Sequence, residues 1–106
     1  MWQQAKLRGV SFRAVGQEPG WLLEISHGEE ILLVTDYGQN RLELPYVEPA
    51  VSQAQRRTQF VVGSPETVIE IRGEPCRDSM SGEEFTTAVT VERPDRTLHG
   101  CGRALH

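Results

Sequence analysis

The sequence lacks several features that would assign it to a particular class of protein. Positive charge is not in excess, because 11 Lys and Arg stand against 15 Asp and Glu for a formal net charge of -4. Nucleic-acid-binding domains usually carry a basic face. The longest apolar run, Ile31 to Val34, is far shorter than the roughly 20 residues that cross a bilayer. These absences predict no nucleic-acid partner and no transmembrane segment in this chain.

An export signal is also missing, since the first residues have neither a basic start nor an apolar stretch. The protein is therefore cytosolic, or it is exported and the signal segment is absent from this chain.

Cysteine is scarce, with only Cys76 and Cys101. An even number favours a disulfide, which would close a loop of about 25 residues and stabilise a small domain by roughly 3.5 kcal/mol. The alternative is two buried thiols, as in many cytosolic proteins.

What the sequence does contain is a period of two. Apolar, β-branched and aromatic residues alternate with polar ones in short segments, and turns rich in Gly and Pro separate these segments. We predict an all-β fold, a small antiparallel barrel of about eight short strands with one disulfide. It would comprise an N-terminal extension over 1–9 and a single β-barrel domain over 10–106, and the connection 48–57 is long enough for a short helical turn. The side chains predicted to form the core are Phe12, Trp21, Leu23, Ile31, Leu33, Phe60, Val89 and Val91.

Residues that commonly perform catalysis or bind metals are few and scattered. His27, His99 and His106 have no nucleophile motif beside them and are interpreted as solvated. His99 and Cys101 share one face of a strand, but zinc sites normally use close ligand pairs such as C-x2-C. We expect no enzyme activity, no catalytic residue, no metal and no cofactor. A small metal-dependent or hydrolytic enzyme is the least favoured alternative.

The most unusual segment runs from Cys76 to Phe85. It is polar, contains a methionine among small residues and is tethered by a cysteine. A disulfide-anchored loop on a rigid β scaffold is a common place for a binding surface. The alternative is a loop that only crosses the barrel end, with Ser and Asp side chains bonded to local backbone amides. The candidate binding residues are Arg77, Asp78, Ser79, Met80, Ser81, Gly82, Phe85 and Arg103.

Three stretches resemble a known family when they are taken together and in this order. Residues 16–21 resemble a G-x-E-P-x-W signature, residues 76–85 a C-x-D-x-M-S-x-x-x-[FY] signature, and residues 98–101 a closing L-x-G-C segment. The combination is similar to a family of uncharacterised exported bacterial proteins, many of them predicted lipoproteins. Its members occur alone or beside META/HslJ-like and lysozyme-inhibitor-like domains. The resemblance implies a periplasmic or outer-membrane-anchored protein with a Cys76–Cys101 disulfide, and it implies no function.

Residues 81–85 also resemble the S-G-x-x-Y loop of the membrane-bound inhibitors of c-type lysozyme, with Phe85 in place of the tyrosine. Our leading hypothesis is a binding module of the cell envelope, whose partner is a protein such as lysozyme or another envelope component. The alternative is an inhibitor of c-type lysozyme that inserts the 79–85 loop into the enzyme cleft. Ser81 would then donate to one catalytic carboxylate, and an arginine would pair with the other.

Overall fold

The computed structural model describes residues 8–17 and 20–105. Most of the predicted extension 1–9 lies outside this part, as do residues 18 and 19 of the first signature and His106. No helix in the described part is long and apolar enough to cross a membrane. One 3-10 turn (Asp36–Gly38) and eleven strands are present: β1 (Phe12–Gly16), β2 (Trp21–Ser26), β3 (Glu30–Thr35), β4 (Asn40–Pro45), β5 (Ala50–Ser52), β6 (Arg57–Val62), β7 (Thr67–Arg72), β8 (Cys76–Arg77), β9 (Glu84–Phe85), β10 (Thr87–Arg93) and β11 (Arg96–Ala104).

Nine of these strands form a single antiparallel sheet that curls strongly into a half-barrel. Its order is β4-β3-β2-β1-β11-β10-β7-β6-β5, so that β4 and β5 are its edges, and β8 and β9 form a separate two-stranded hairpin. The first strand pairs with the last, with Phe12 opposite Ala104. The predicted all-β, barrel-like antiparallel fold with one disulfide is confirmed, with nine strands in the curled sheet where about eight were expected.

The inner face of the half-barrel holds the hydrophobic core. Seven of the eight predicted core side chains are buried, with Leu23, Ile31 and Val91 completely so. Phe12 is only partly buried, although it packs against the same cluster. The period-two pattern thus assigned the strand faces correctly, because a shift of one residue would have moved every one of these side chains to the other face.

The connection 48–57 contains a strand instead of the short helical turn that its composition allowed. Ala50 lies opposite Gln59, and Val51 lies opposite Thr58, which makes β5 an edge strand on β6. A tight turn over 53–56 precedes β6, and Arg56 adopts a left-handed backbone with φ of 52°. Pairing with a neighbouring strand outweighs the weak helix propensity of this segment.

The outer face is not uniformly solvated. Arg13 on β1 lies opposite Glu24 on β2, and both residues are 5% exposed. The Arg13 Nε–H donates to a Glu24 carboxylate oxygen at 3.2 Å, and Arg8 donates two further hydrogen bonds to the same carboxylate. A buried carboxylate requires such partners to offset the loss of water. The ion pair therefore joins the first two strands on the side away from the core.

Candidate functional site

The predicted binding segment forms a small hairpin, which we call the outer hairpin (residues 76–85). Cys76 pairs with Phe85, and Arg77 pairs with Glu84. The Cys76–Cys101 disulfide, with its two Cα atoms 5.6 Å apart, joins the hairpin to β11. Leu98 points into the core, so alternation along β11 places Cys101 on the outer face. The hairpin accordingly packs on the outside of the sheet and does not cross a barrel end.

Asp78 closes the turn of the outer hairpin from within. It is only 7% exposed, and its carboxylate accepts hydrogen bonds from the Ser81 backbone N–H and hydroxyl, both at 2.9 Å. Its own backbone bonds to Gly82 and Glu83 at 2.9 Å each. The backbone hydrogen bond from Ser81 is the main reason that the pKa of Asp78 lies below its usual value. This carboxylate is engaged within the loop and is not available to an external ligand.

Ser81 is bonded within the loop as well. Its hydroxyl donates to Asp78 and accepts the backbone N–H of Glu83 at 3.1 Å. The residue is exposed, but its hydroxyl hydrogen already has an acceptor. The proposed donation from Ser81 to a lysozyme carboxylate would require this bond to Asp78 to break.

Two arginines hold the hairpin in place. The Arg77 Nε–H donates to the Gly82 carbonyl at 3.2 Å, and Gly82 itself has a φ of 73°, a conformation that favours glycine. Arg103 on β11 donates to the Glu83 carboxylate at 2.8 Å. Its guanidinium also lies over the buried Phe85 ring, 4.7 Å from the ring centroid, a favourable cation–π geometry. Phe85 and Arg103 thus anchor the loop, with the Phe85 ring buried and the Arg103 side chain partly exposed.

The outer hairpin is exposed at Arg77 and over residues 79–84, and residues 79–81 form its tip. Met80 is 71% exposed, and Ser79 is exposed beside it. A groove of about 300 Å³ runs along the hairpin. It is lined by Gly16, Gln17, Arg72, Cys76, Arg77, Asp78, Ser79, Ala88, Val89, His99, Gly100 and Cys101. The structure brings all the predicted binding residues into one hairpin and its contact strand. Five of them are exposed there: Arg77, Ser79, Met80, Ser81 and Gly82.

Trp21 and the two cysteines have structural roles. Trp21 packs in the core, where its indole N–H donates to the His99 carbonyl at 3.2 Å. Its ring occupies the space above Gly16, where a Cβ atom would come within 2.0 Å of the indole nitrogen. Because the two cysteine sulfurs are bonded to each other, neither can act as a thiolate ligand. Within residues 8–17 and 20–105, no group of three His, Cys, Asp or Glu residues could hold a metal ion.

A second concave region was not predicted from the sequence. It lies at the end of the half-barrel where the β3–β4 turn meets the β10–β11 turn, and we call it the mouth. Its cavity of about 300 Å³ is lined by Leu33, Thr35, Asn40, Arg41, Leu42, Arg93, Asp95 and Arg96.

The two turns of the mouth are joined by an ion pair between residues 60 positions apart in sequence. The Arg96 guanidinium donates to both carboxylate oxygens of Asp36, at 3.0 and 2.8 Å. This bidentate pair, helped by Asn40, holds the pKa of the Asp36 carboxyl well below its usual range. Asp36 and Tyr37 both have left-handed backbones, with φ of 54° and 57°, which non-glycine residues seldom adopt. The ion pair thus fixes an unfavourable turn at the rim.

The alternation of β10 and β11 contains a signal for the mouth. Arg93 falls on the same face as Val89 and Val91, and Arg96 falls on the same face as Leu98. Extending the period of two to the strand ends would have placed both guanidiniums on the core side. Which other residues surround them could not be derived in this way, because β3 and β7 come from distant parts of the chain.

The outer hairpin and the mouth are both concave and both contain hydrogen-bonding groups. Among the contacts described above, neither region places a nucleophile beside a base. The outer hairpin offers an exposed tip on a rigid base, and the mouth offers guanidinium groups above apolar side chains. A scan against protein-family models found no match to this chain, and neither the curated proteins nor the solved structures contained one.

Proposed function

We propose that this protein is a non-enzymatic binding module of the cell envelope that presents the tip of the outer hairpin to a protein partner. The observation that carries the proposal is Met80, 71% exposed at the end of a loop whose own polar groups are bonded internally. A loop that is already ordered loses little conformational entropy when it binds. Methionine suits such a contact because its flexible thioether adapts to irregular apolar surfaces.

The compartment in this proposal rests on the disulfide. Disulfides form and persist in oxidising environments such as the periplasm and are rare in the cytosol. The Cys76–Cys101 bond fixes the base of the outer hairpin, so the same covalent link supports both an exported location and a preformed binding loop. Intact-mass measurement after alkylation of the protein from its native cells, without reduction, should show no modified cysteine. Two alkylated cysteines would contradict an oxidising location.

A photo-crosslinking amino acid at position 80 tests the proposed surface directly. With an envelope extract of the producing cells, position 80 should yield one defined adduct, which excess unlabelled wild-type protein suppresses and excess Met80→Asp protein does not. The matched control carries the crosslinker at the exposed position 97 on β11 and should not give this adduct. Identical adducts from both positions, or none from position 80, would contradict the proposal.

A c-type lysozyme is the first defined partner to test, because residues 81–85 resemble the inhibitor loop. Since the Ser81 hydroxyl is bonded to Asp78, a contact with an enzyme carboxylate falls to the exposed Ser79. We expect any inhibition of cell-wall lysis to weaken more with Ser79→Ala than with Ser81→Ala, measured in moderate salt so that nonspecific charge attraction is screened. Absence of inhibition by the wild type at micromolar concentration removes lysozyme as the partner.

A further inference from the structure

Arg93, at the mouth, differs from the other arginines that are not fully exposed. Each of those has a carboxylate within 4.0 Å: Arg13, Arg72, Arg96 and Arg103. Arg93 is half-buried and donates one hydrogen bond to the hydroxyl of the fully buried Thr67. Within the described part of the chain, no carboxylate lies within salt-bridge distance of it. Arg93 also lines the cavity, so the guanidinium donors not used by Thr67 are available to a ligand there.

A guanidinium in this position favours an anion. Removing a cation from water is costly unless an opposite charge or several hydrogen bonds compensate it. Thr67 supplies one neutral oxygen and orients the Arg93 side chain. The neighbouring Arg96 does not need a ligand, because Asp36 already engages it through two hydrogen bonds. Arg41, which also lines the cavity, pairs with Glu43 at 2.9 Å. Among the described residues, Arg93 is thus the arginine of the mouth that has no carboxylate partner.

The remaining lining favours an apolar group next to that charge. Leu33, which is 2% exposed, and the half-buried Leu42 face the cavity, with Thr35 and Asn40 at its side. A volume of about 300 Å³ lies at the small end of the range for small-molecule sites. Asp95 stands at the rim and adds negative charge, which opposes a doubly charged ligand such as phosphate.

We propose that the mouth binds a small carboxylate with a short apolar group, with the carboxylate paired to Arg93 and the apolar group against Leu33 and Leu42. A carboxylate matches the planar guanidinium better than other monoanions, because it accepts two parallel hydrogen bonds. This site is separate from the outer hairpin, and it stands whether or not the hairpin has a protein partner.

Hexanoate is the probe, and titration calorimetry with NMR chemical-shift mapping is the measurement. Hexanoate should bind saturably with one-to-one stoichiometry and shift the amides of residues 33–42 and 93–96. 1-Hexanol, which lacks the charge, should bind at least about tenfold more weakly, the lower end of what a charge-assisted hydrogen bond contributes. Acetate should also bind at least about tenfold more weakly, because it has no apolar chain to bury against Leu33 and Leu42. Inorganic phosphate should not compete with hexanoate at equal concentration.

Arg93→Gln is the decisive variant, since it removes the charge and keeps a neutral, polar side chain at this position. It should weaken hexanoate binding by at least about tenfold, and Arg93→Lys should recover part of the loss through charge without the planar fork. Arg57→Gln is the matched control: Arg57 pairs with Glu70 outside the mouth, and its replacement should leave the affinity unchanged. Thermal unfolding monitored by circular dichroism establishes that each variant is folded.

Three results would overturn the proposal. Equal affinity for hexanoate and 1-hexanol would show that only apolar contacts act. Equal loss of affinity in folded Arg93→Gln and Arg57→Gln would show a nonspecific charge effect. The absence of saturable hexanoate binding at concentrations up to about 10 mM, tenfold above a Kd of about 1 mM, would show that no carboxylate site exists.

Discussion

The outer hairpin and the mouth both gather charged side chains, and they differ in where those charges find partners. In the outer hairpin, the Asp78 carboxylate binds Ser81 of the same turn, and Arg103 binds Glu83. In the mouth, Asp36 neutralises Arg96, whereas Arg93 bonds to the Thr67 hydroxyl and has no carboxylate partner among residues 8–17 and 20–105. Charges that are neutralised locally build a rigid scaffold, because their partners order the backbone. A half-buried cation without an acidic partner leaves capacity for a ligand.

The largest effect is expected from the floor of the mouth. Leu33 is almost fully buried and also lines the cavity. Leu33→Ala should lower the free energy of unfolding by about 2–5 kcal/mol, through lost apolar contact and a residual void, and should weaken hexanoate binding as well. Urea denaturation and calorimetry measure the two effects. A cost near zero would mean that the mouth is not continuous with the core.

The second largest effect is expected from loss of the disulfide, which should change the outer hairpin and leave the mouth unchanged. The bond spans 25 residues, and a closed loop of that length contributes roughly 2–4 kcal/mol by restricting the unfolded chain. The Cys76→Ser and Cys101→Ser double variant should lose this amount in urea denaturation and should show faster amide exchange in the outer hairpin. Hexanoate binding at the mouth should stay as in the wild type. Equal weakening at both regions would contradict their independence.

Acid should weaken the outer hairpin through Asp78. Its pKa is lowered in the folded protein by the hydrogen bonds from Ser81, so its stabilisation is complete above the unfolded pKa of about 3.9 and is lost as the pH falls through the lower folded value. Asp78→Ala should cost about 1–3 kcal/mol at pH 7.

The difference between wild type and Asp78→Ala in urea midpoint should therefore shrink between pH 5 and the acid limit of about pH 2, below the unfolded carboxyl pKa. Glu66→Ala, at an exposed turn position, is the control and should show no comparable change. A pH-independent difference would show that Asp78 acts through packing and not through its charge.

The smallest effect on stability is expected at the hairpin tip. Met80→Ser removes a side chain that is 71% exposed, so the free energy of unfolding should change by no more than about 0.5 kcal/mol. Partner capture by the outer hairpin should nevertheless be lost, as measured by competition against the crosslinked adduct from position 80. A large loss of stability would place Met80 in the scaffold instead of at the binding surface.

The strands and the core could be predicted from the sequence because alternation is a local property. Leu23 and Val91 were assigned to the core from neighbours two positions away, and both are fully buried. The 50–52 segment was harder, because its strand exists only through pairing with β6. Alternation puts Glu24 on the face opposite to Leu23, but its burial depends on Arg13 across the sheet. Alternation along a strand shows on which face of the sheet a side chain lies, but not which residues cover that face.

The outer hairpin, too, was predicted from the sequence only in part. The segment Cys76–Phe85 stood out by composition, but the Asp78–Ser81 bonds that commit most of its polar groups became visible only in three dimensions. The hypotheses of a protein partner and of lysozyme inhibition remain predictions.

By itself, the sequence determined an all-β chain with a defined core face and one possible cysteine pair. The period of the apolar residues, the turn residues and the number of cysteines are all local properties that can be read along the chain. Only the tertiary structure decided that the hairpin lies on the outer face and that the mouth exists. Asp36 and Arg96 meet across 60 residues, and Arg93 meets Thr67 across 26. Such contacts depend on strand order and sheet curvature, which set how distant strand ends approach and which no local pattern encodes.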